Sequence, residues 1–171
     1  MEQRYDLSGS LLHWYDYNKR ILPWRENKDP YRIWISEIML QQTRVEAVKP
    51  YFDRFMEVLP TVYDLAKVDD DRLMKLWEGL GYYNRARNLK AAAQTIVEEY
   101  GGQLPADYDK LLSLKGIGMY TAGAIGSIAF ELQVPAVDGN VLRVLTRLWG
   151  DDSDILKDKT KKAMGRRVME F

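Results

Sequence analysis

The feature that most constrains the fold is the helical spacing of apolar residues, which continues along almost the whole chain. No segment shows the sustained alternation of apolar and polar residues that is typical of a strand. The spacing, with its caps and breakers, predicts helices over residues 7–20, 31–43, 51–59, 62–66, 73–78, 89–100, 108–114, 119–132, 141–148 and 160–171. Asp29 and Pro30 are predicted to begin one of them, and Pro50 to bend the path into another. A length of 171 residues, 46% of them hydrophobic, suits one globular domain, or a compact domain with a fragment of a second. We therefore expect an all-α protein.

Composition excludes several kinds of site. Cysteine is absent and His13 is the only histidine, so disulfides and cysteine-bound iron–sulfur or zinc sites are excluded, and a metal would need oxygen ligands. Lysine plus arginine and aspartate plus glutamate each number 25, so the net charge is zero and a nucleic-acid site must be a local patch. No apolar run is long enough to span a membrane, and the first residues lack a signal-peptide pattern. We expect no membrane association and a reducing, cytosol-like compartment.

Residues 108–132 have the pattern of a helix-hairpin-helix, in which LKGIG is the tight turn. Gly116 and Gly118 allow backbone N–H groups to converge at the start of the second helix, where the helix dipole is positive. Such a turn can hold a DNA phosphate, and Lys115 would add an attraction. A plain interhelical turn is the alternative that the spacing leaves open.

Two acidic residues are candidates for acid–base and electrostatic roles. Glu37 lies in YRIWISEIMLQQT, a helix so apolar that it must be largely buried. Burial favours the uncharged form of a carboxyl group, which makes Glu37 a candidate general acid; the alternative is a structural carboxylate paired with Arg25, Arg32 or a backbone N–H. Asp138 precedes an apolar helix and is either its N-cap or a charged group that assists cleavage of a glycosidic bond. The sequence alone does not show that Glu37 and Asp138 meet.

The segment GLGYYNRARNLK interleaves aromatic and cationic residues after a Gly-x-Gly. Tyr82 and Tyr83 could wedge between bases or stack on them, while Arg85, Arg87 and Lys90 could reach phosphates. The alternative is a solvated cationic helix start with one tyrosine packed in the core.

Five motifs, in chain order, carry a resemblance to a known family: LPWR, WISEIMLQQT, GLGYYNRARNL, LKGIGMYTAGAI and VDGNVLRVL. With these motifs the chain resembles the adenine DNA glycosylases, which remove adenine mispaired with guanine or oxoguanine and belong to the helix-hairpin-helix base-excision superfamily. The resemblance implies a helix-hairpin-helix DNA glycosylase fold with a six-helix barrel over residues 25–132. Residues 1–24 and 133–171 would then form part of a second helical domain, an iron–sulfur domain that lacks its cluster-binding end.

The resemblance also implies the catalytic roles. Glu37 would protonate the flipped adenine so that it departs as a neutral base, and Asp138 would stabilise the oxocarbenium-like sugar. Tyr120 stands where the related endonuclease III-type enzymes carry the lysine that forms a Schiff base with the sugar. A monofunctional glycosylase is therefore implied, in which Tyr120 assists near the sugar and Asn140 lies beside Asp138.

Contacts to the base and to DNA are implied in the same way. Trp24 and Arg25 would line the adenine pocket, and Gln42 and Tyr82 match the probes that the family inserts into the duplex around the mismatch. The hairpin would anchor a phosphate, with a monovalent cation held by its carbonyls as a further expectation. The DNA-contacting residues implied are Gln42, Thr43, Leu80, Tyr82, Leu114, Lys115, Gly116, Ile117 and Gly118.

Members of this family continue through four cysteines that bind a four-iron four-sulfur cluster, and usually through a further domain that recognises oxoguanine. This chain has no cysteine to bind the cluster implied for the full-length protein, so we expect an N-terminal catalytic fragment. The implied partner is double-stranded DNA with an A:G or A:oxoguanine mismatch, bound by a monomer. The implied location is the bacterial cytoplasm, at the nucleoid, or the nucleus or mitochondrion of a eukaryote. Two alternatives stay open: a non-catalytic helix-hairpin-helix DNA-binding fragment, and an endonuclease III-like glycosylase-lyase.

Overall fold

The computed structural model describes residues 7–170, and helices dominate this part of the chain. The described residues contain ten α-helices and one 3-10 turn, with no strand among them, so the all-α prediction is confirmed. The helices are α1 (Leu7–Asn18), α2 (Pro30–Leu40), α3 (Val45–Val58), α4 (Val62–Lys67), α5 (Asp70–Trp77), α6 (Asn84–Tyr100), α7 (Tyr108–Ser113), α8 (Met119–Phe130), α9 (Gly139–Trp149) and α10 (Asp158–Val168), and the 3-10 turn is Pro23–Arg25. Among the described residues, no helix combines the length and apolar character needed to cross a bilayer.

Polar caps decide where the helices around the site begin. The Asp29 side chain accepts from the backbone N–H of Tyr31 at 2.8 Å, and Pro30 occupies the first helical position of α2, as the sequence predicts. Asp138 caps α9 in the same manner, with a 2.8 Å bond from the N–H of Val141. These caps satisfy backbone N–H groups at the starts of α2 and α9.

The helix predicted to follow Pro50 begins earlier, because α3 starts at Val45 and continues through Pro50. A proline in a helix interior loses one backbone hydrogen bond and costs about 3 kcal/mol. The same helix fully buries Val48, Phe52 and Phe55, and each such side chain contributes about 1.5–3 kcal/mol. Burial of this apolar face therefore outweighs the local penalty.

The core is built around α2, of whose eleven residues eight are buried. Ile33, Trp34 and Met39 are inaccessible to solvent, and α2 packs against α3 and α8. The small residues of α8 allow close approach: a Cβ on Gly123 would lie 2.1 Å from the carbonyl oxygen of Pro135. As a result, the loop that leads to α9 packs against α8, which itself packs against α2.

The buried core cluster runs from Trp24 to Ile125, whereas no residue of α1 is buried. Leu12 and Trp14 of α1 are both exposed on its surface. Gly165 of α10 packs against Pro135. The division into a domain of residues 25–132 and a second domain of residues 1–24 and 133–171 stays a prediction. Residues 1–6 and 171 lie outside the described part of the chain.

Candidate active site

Glu37 is a buried carboxylate that joins three elements. It lies on α2 with 3% of its surface exposed. Its Oε1 accepts from Nη2 of Arg25, in the 3-10 turn, at 2.9 Å, and its Oε2 accepts from the hydroxyl of Tyr120, on α8, at 3.0 Å. Among the partners that the structural alternative left open, Arg25 is the one that Glu37 bonds. The role of Glu37 as a general acid stays a prediction.

Tyr120 connects Glu37 to an open cleft. The tyrosine is 37% exposed and lines a cleft of about 750 Å³, while its hydroxyl bonds the buried carboxylate. Burial raises the pKa of the Tyr120 phenol well above its ordinary value, and the negative charges of Glu37 and Asp138 act in the same direction. The phenol therefore stays neutral at physiological pH and donates its hydrogen to Glu37.

Asp138 lines the same cleft from the loop before α9. One of its oxygens caps α9, and the other accepts from Nδ2 of Asn140 at 3.0 Å. A helix N-terminus stabilises a negative charge, so the cap favours the ionised carboxylate. Tyr120 bonds Glu37 and Asn140 bonds Asp138, while Tyr120 and Asp138 line the same cleft. The structure thus brings these four predicted residues together.

The other wall of the cleft was not anticipated from the sequence. It is cationic and comes from α10, with Lys161, Lys162 and Arg166 lining the cavity. The spacing of Lys162 and Arg166, one helical turn apart, is the signal that could have identified this face.

Trp24 and Arg25 behave differently from each other. Trp24 is only 1% exposed and packs edge to face on Phe52, with ring centroids 5.3 Å apart, and it is not among the residues that line the cleft. Arg25 reaches Glu37, while its buried Nη1 has no hydrogen-bond partner within the described residues. Arg25 therefore has an unused N–H donor beside the Glu37 carboxylate. The adenine-pocket role of Trp24 and Arg25 stays a prediction.

The hairpin turn lies between α7 and α8, as predicted. Gly116 has a φ of +81°, and a Cβ there would lie 2.8 Å from Cβ of Asn88, so glycine is needed. Gly118 has ordinary extended backbone, and a Cβ on it would meet nothing within 4 Å. Leu114 and Ile117 are buried in the core and Lys115 is exposed, so the apolar residues frame the turn and the lysine faces solvent.

Gln42 and Tyr82 share an unusual backbone conformation. Their φ angles are +58° and +47°, in the left-handed region that costs a non-glycine residue about 1–2 kcal/mol. Both side chains are exposed. Of their predicted neighbours in the DNA surface, Thr43 is half-buried and Leu80 packs in the core.

The expectation that Arg85 reaches a phosphate is wrong, because its guanidinium turns inward. Nη1 donates to the carbonyls at the end of α2, and Nη2 donates to the carbonyls of the loop before α6. Its acceptors are the carbonyl oxygens of Ile38, Met39, Gln41, Leu80 and Gly81. Burial lowers the pKa of Arg85, although an arginine keeps its charge at physiological pH. Nearby, Arg87 is exposed and Lys90 pairs with Asp70.

Comparison with known proteins decides the family. The sequence profile of the HhH-GPD superfamily, base excision DNA repair proteins, matches residues 35–170. This chain belongs to that superfamily. The adenine DNA glycosylase of Mus musculus is 49% identical over 149 residues, which cover 82% of this chain and 29% of that relative. The chain thus spans less than a third of the relative's length.

Solved structures support the HhH-GPD fold. A thermostable thymine-DNA glycosylase superposes with a TM-score of 0.83 at 30% identity, covering 92% of this chain and 75% of that one. An endonuclease III trapped as a covalent intermediate with DNA superposes with a TM-score of 0.78 at 25% identity, covering 95% of this chain and 73% of that one. The predicted helix-hairpin-helix glycosylase fold is therefore confirmed.

The iron–sulfur cluster that the HhH-GPD resemblance implies requires thiolate ligands. The sequence contains no cysteine, and the described residues contain no group of three or more histidine, aspartate or glutamate side chains that could hold a metal. The residues present therefore do not fit such a cluster, and no chemistry of the site is assigned to it.

Proposed function

We propose that this protein is a monofunctional adenine DNA glycosylase, which hydrolyses the N-glycosidic bond of adenine mispaired with guanine or oxoguanine in duplex DNA. The observation that carries the proposal is the Tyr120 hydroxyl, which bonds the buried Glu37 while its ring faces the cleft that Asp138 lines. The similarity to the mouse adenine DNA glycosylase supports adenine as the base.

The departing base needs a proton. Adenine is a poor leaving group as an anion, so protonation lets the bond between base and sugar break with the electron pair going to a neutral base. Glu37 is the acid in this proposal, and it must carry a proton when the base arrives. It lies buried directly behind Tyr120, which lines the cleft. Tyr120 and Arg25 donate to its two oxygens and orient the carboxyl group.

The sugar left behind carries developing positive charge. Asp138 lies in the cleft wall as a capped carboxylate, and Asn140 donates to its second oxygen and restricts its rotation. A fixed negative charge beside an oxocarbenium-like sugar lowers the barrier without a covalent bond. Water then adds to the anomeric carbon and gives up a proton, which restores the acid at Glu37, so adenine and an abasic site are the products.

DNA would reach the site by base extrusion into the cleft. The volume of about 750 Å³ exceeds what one nucleotide needs, and it lies within the usual range of ligand sites. In this proposal, the hairpin residues Leu114 to Gly118 contact a phosphate, and Gln42 and Tyr82 enter the duplex around the mismatch. A monomer is sufficient for these contacts. The proposed location is the compartment that contains the DNA: the bacterial cytoplasm at the nucleoid, or the nucleus or mitochondrion of a eukaryote.

The test is adenine release from A:G and A:oxoguanine duplexes under single-turnover conditions. Glu37→Gln keeps the size of the side chain and removes its acid, so the rate should fall about 100-fold to 10,000-fold while duplex binding persists. The matched control is Glu57→Gln, because Glu57 is an exposed glutamate on α3 and the substitution makes the same change in charge. Equal rates for Glu37→Gln and the parent protein would refute the acid role.

The same duplexes distinguish the proposed activity from two alternatives, a glycosylase-lyase and a non-catalytic DNA-binding fragment. A lyase would form a Schiff base, which borohydride reduction traps as a covalent protein–DNA adduct, and tyrosine at position 120 cannot form one. We expect no adduct. A non-catalytic binding fragment would bind the duplex and release no adenine with either opposing base.

A further inference from the structure

Arg85 links the two segments that carry the left-handed residues Gln42 and Tyr82. Its Nη1 lies 2.7 Å from the carbonyl oxygen of Gln41, and its Nη2 lies 3.2 Å from the carbonyl oxygen of Gly81. Gln41 and Gln42 share one peptide group, and Gly81 and Tyr82 share another. The guanidinium therefore holds the peptide group directly before each of the two residues.

A peptide group is planar, so a fixed carbonyl also fixes the direction of the N–H on its other side. The plane of this peptide group is one of the two planes that define the φ angle of the following residue, which is +58° at Gln42 and +47° at Tyr82. Left-handed conformations of non-glycine residues persist only where the surroundings enforce them. Arg85 supplies such enforcement to both residues from a single side chain.

Aromatic rings hold the guanidinium in place. Its central carbon lies 5.4 Å from the centroid of the Trp77 ring and 5.7 Å from that of Tyr82. Nε1 of Trp77 also donates to the Gly81 carbonyl at 3.1 Å, so this carbonyl has two donors. A planar fork with five N–H groups suits this arrangement better than a lysine ammonium, which is a compact point charge with three donors.

We propose that Arg85 is a positioning residue that presents Gln42 and Tyr82 to the duplex as one preorganised unit. The guanidinium makes no contact with DNA or with the reacting atoms, because its two Nη atoms are occupied by carbonyls of the protein. This inference rests on the proposed function, in which both side chains probe the mismatch. Preorganised contacts bind more tightly because less ordering is needed on association.

The test compares Arg85→Met and Arg85→Lys with the parent protein and with Arg87→Met. Arg87 lies two positions further along α6, where it is exposed and donates to the side chain of Asn84. Arg87→Met therefore removes the same charge without touching the carbonyls that Arg85 holds. A lost phosphate contact weakens binding to all duplexes about equally.

The first measurement is hydrogen exchange of the free protein. In Arg85→Met, exchange should accelerate in the peptides that contain residues 38–43 and 79–84. Arg85→Lys should exchange at a rate between those of Arg85→Met and the parent. Arg87→Met should exchange at the rate of the parent. Unchanged exchange in both peptides of Arg85→Met would overturn the proposal, because Arg85 would then not hold these segments.

The second measurement is selectivity, the ratio of dissociation constants for a fully paired duplex and for a duplex with a non-hydrolysable adenine opposite oxoguanine. This ratio should fall about 10-fold to 100-fold in Arg85→Met, since small misplacements of positioned groups have effects of that size. A variant that is merely less stable loses competent protein for both duplexes alike, so its ratio does not move. An unchanged ratio, or full rescue by Arg85→Lys, would overturn the proposal.

The duplex selectivity of the parent protein distinguishes a failure of this inference from a failure of the proposed function. A parent that binds both duplexes equally would refute the mismatch activity. The exchange measurement needs no DNA and would still decide whether Arg85 holds the segments of Gln42 and Tyr82. A selective parent with unaltered Arg85 variants would refute the positioning role alone.

Discussion

At the scale of single residues, the site depends on one hydroxyl group. Tyr120 is the link between the cleft and a carboxylate that is 3% exposed, and the two residues lie 83 positions apart in the sequence. A phenylalanine would fill the same space and leave Oε2 of Glu37 without this donor. Hydrogen bonds to charged groups contribute about 1.5–3 kcal/mol, which corresponds to a factor of about 10 to 100 in rate.

We therefore expect Tyr120→Phe to lower the single-turnover rate of adenine release by about 10-fold to 100-fold. Tyr17→Phe, at an exposed tyrosine of α1, is the matched control. A Tyr120→Phe variant as fast as the parent would show that the hydroxyl plays no part in the chemistry.

The raised pKa of Tyr120 gives a further expectation at alkaline pH. A group whose pKa is higher in the folded than in the unfolded protein contributes stability below its unfolded pKa, about 10 for tyrosine, and loses it as the pH rises further. The parent should therefore lose more stability than Tyr120→Phe above about pH 10 in urea titrations. Parallel losses in the two proteins would contradict this expectation.

At the scale of elements, the close approach of α8 to the loop before α9 sets the position of Asp138. Gly123 permits this approach, because any Cβ would collide with the Pro135 carbonyl. The backbone on both sides of this contact is held by other packing, so it cannot withdraw freely.

Gly123→Ala should therefore destabilise the protein by about 1–3 kcal/mol, as overpacking of a core does, and displace the loop that carries Asp138. Urea unfolding measures the stability. The matched control is Gly139→Ala at the start of α9, where a Cβ meets nothing within 4 Å, and it should be neutral or stabilising by up to about 1 kcal/mol. Equal stability of Gly123→Ala and the parent would contradict the contact.

At the scale of the whole molecule, the zero net charge means that DNA affinity must come from local features. Lys115 is an exposed cation in the hairpin turn. In the same turn, a Cβ on Gly118 would meet no atom within 4 Å, so the backbone there is open to solvent. This part of the surface can approach a phosphate backbone closely.

Lys115→Met should weaken duplex binding and reduce the slope of log Kd against log salt concentration by about 1. Lys110→Met removes an exposed lysine from α7, outside the turn, and serves as the control. Equal slopes for the two variants would count against the hairpin as the phosphate contact.

Local patterns were sufficient to predict the all-α class, the caps at Asp29 and Asp138, and the hairpin. Caps and helical spacing are decided within a few residues, so they can be recognised along the chain. The inward turn of Arg85 could not be predicted, because its acceptors include the carbonyl of Gln41, 44 residues away. The same is true of α3, where burial of Phe52 and Phe55 prevails over the signal from Pro50.

Both oxygens of Glu37 already accept hydrogen bonds in the resting protein. A carboxyl group has acceptor positions beyond the two that Tyr120 and Arg25 use, so a base can reach Glu37 while both resting contacts stay in place. Entry of the base then adds an interaction without breaking one. The base also meets a side chain whose orientation is already fixed, so little further ordering is needed at this position.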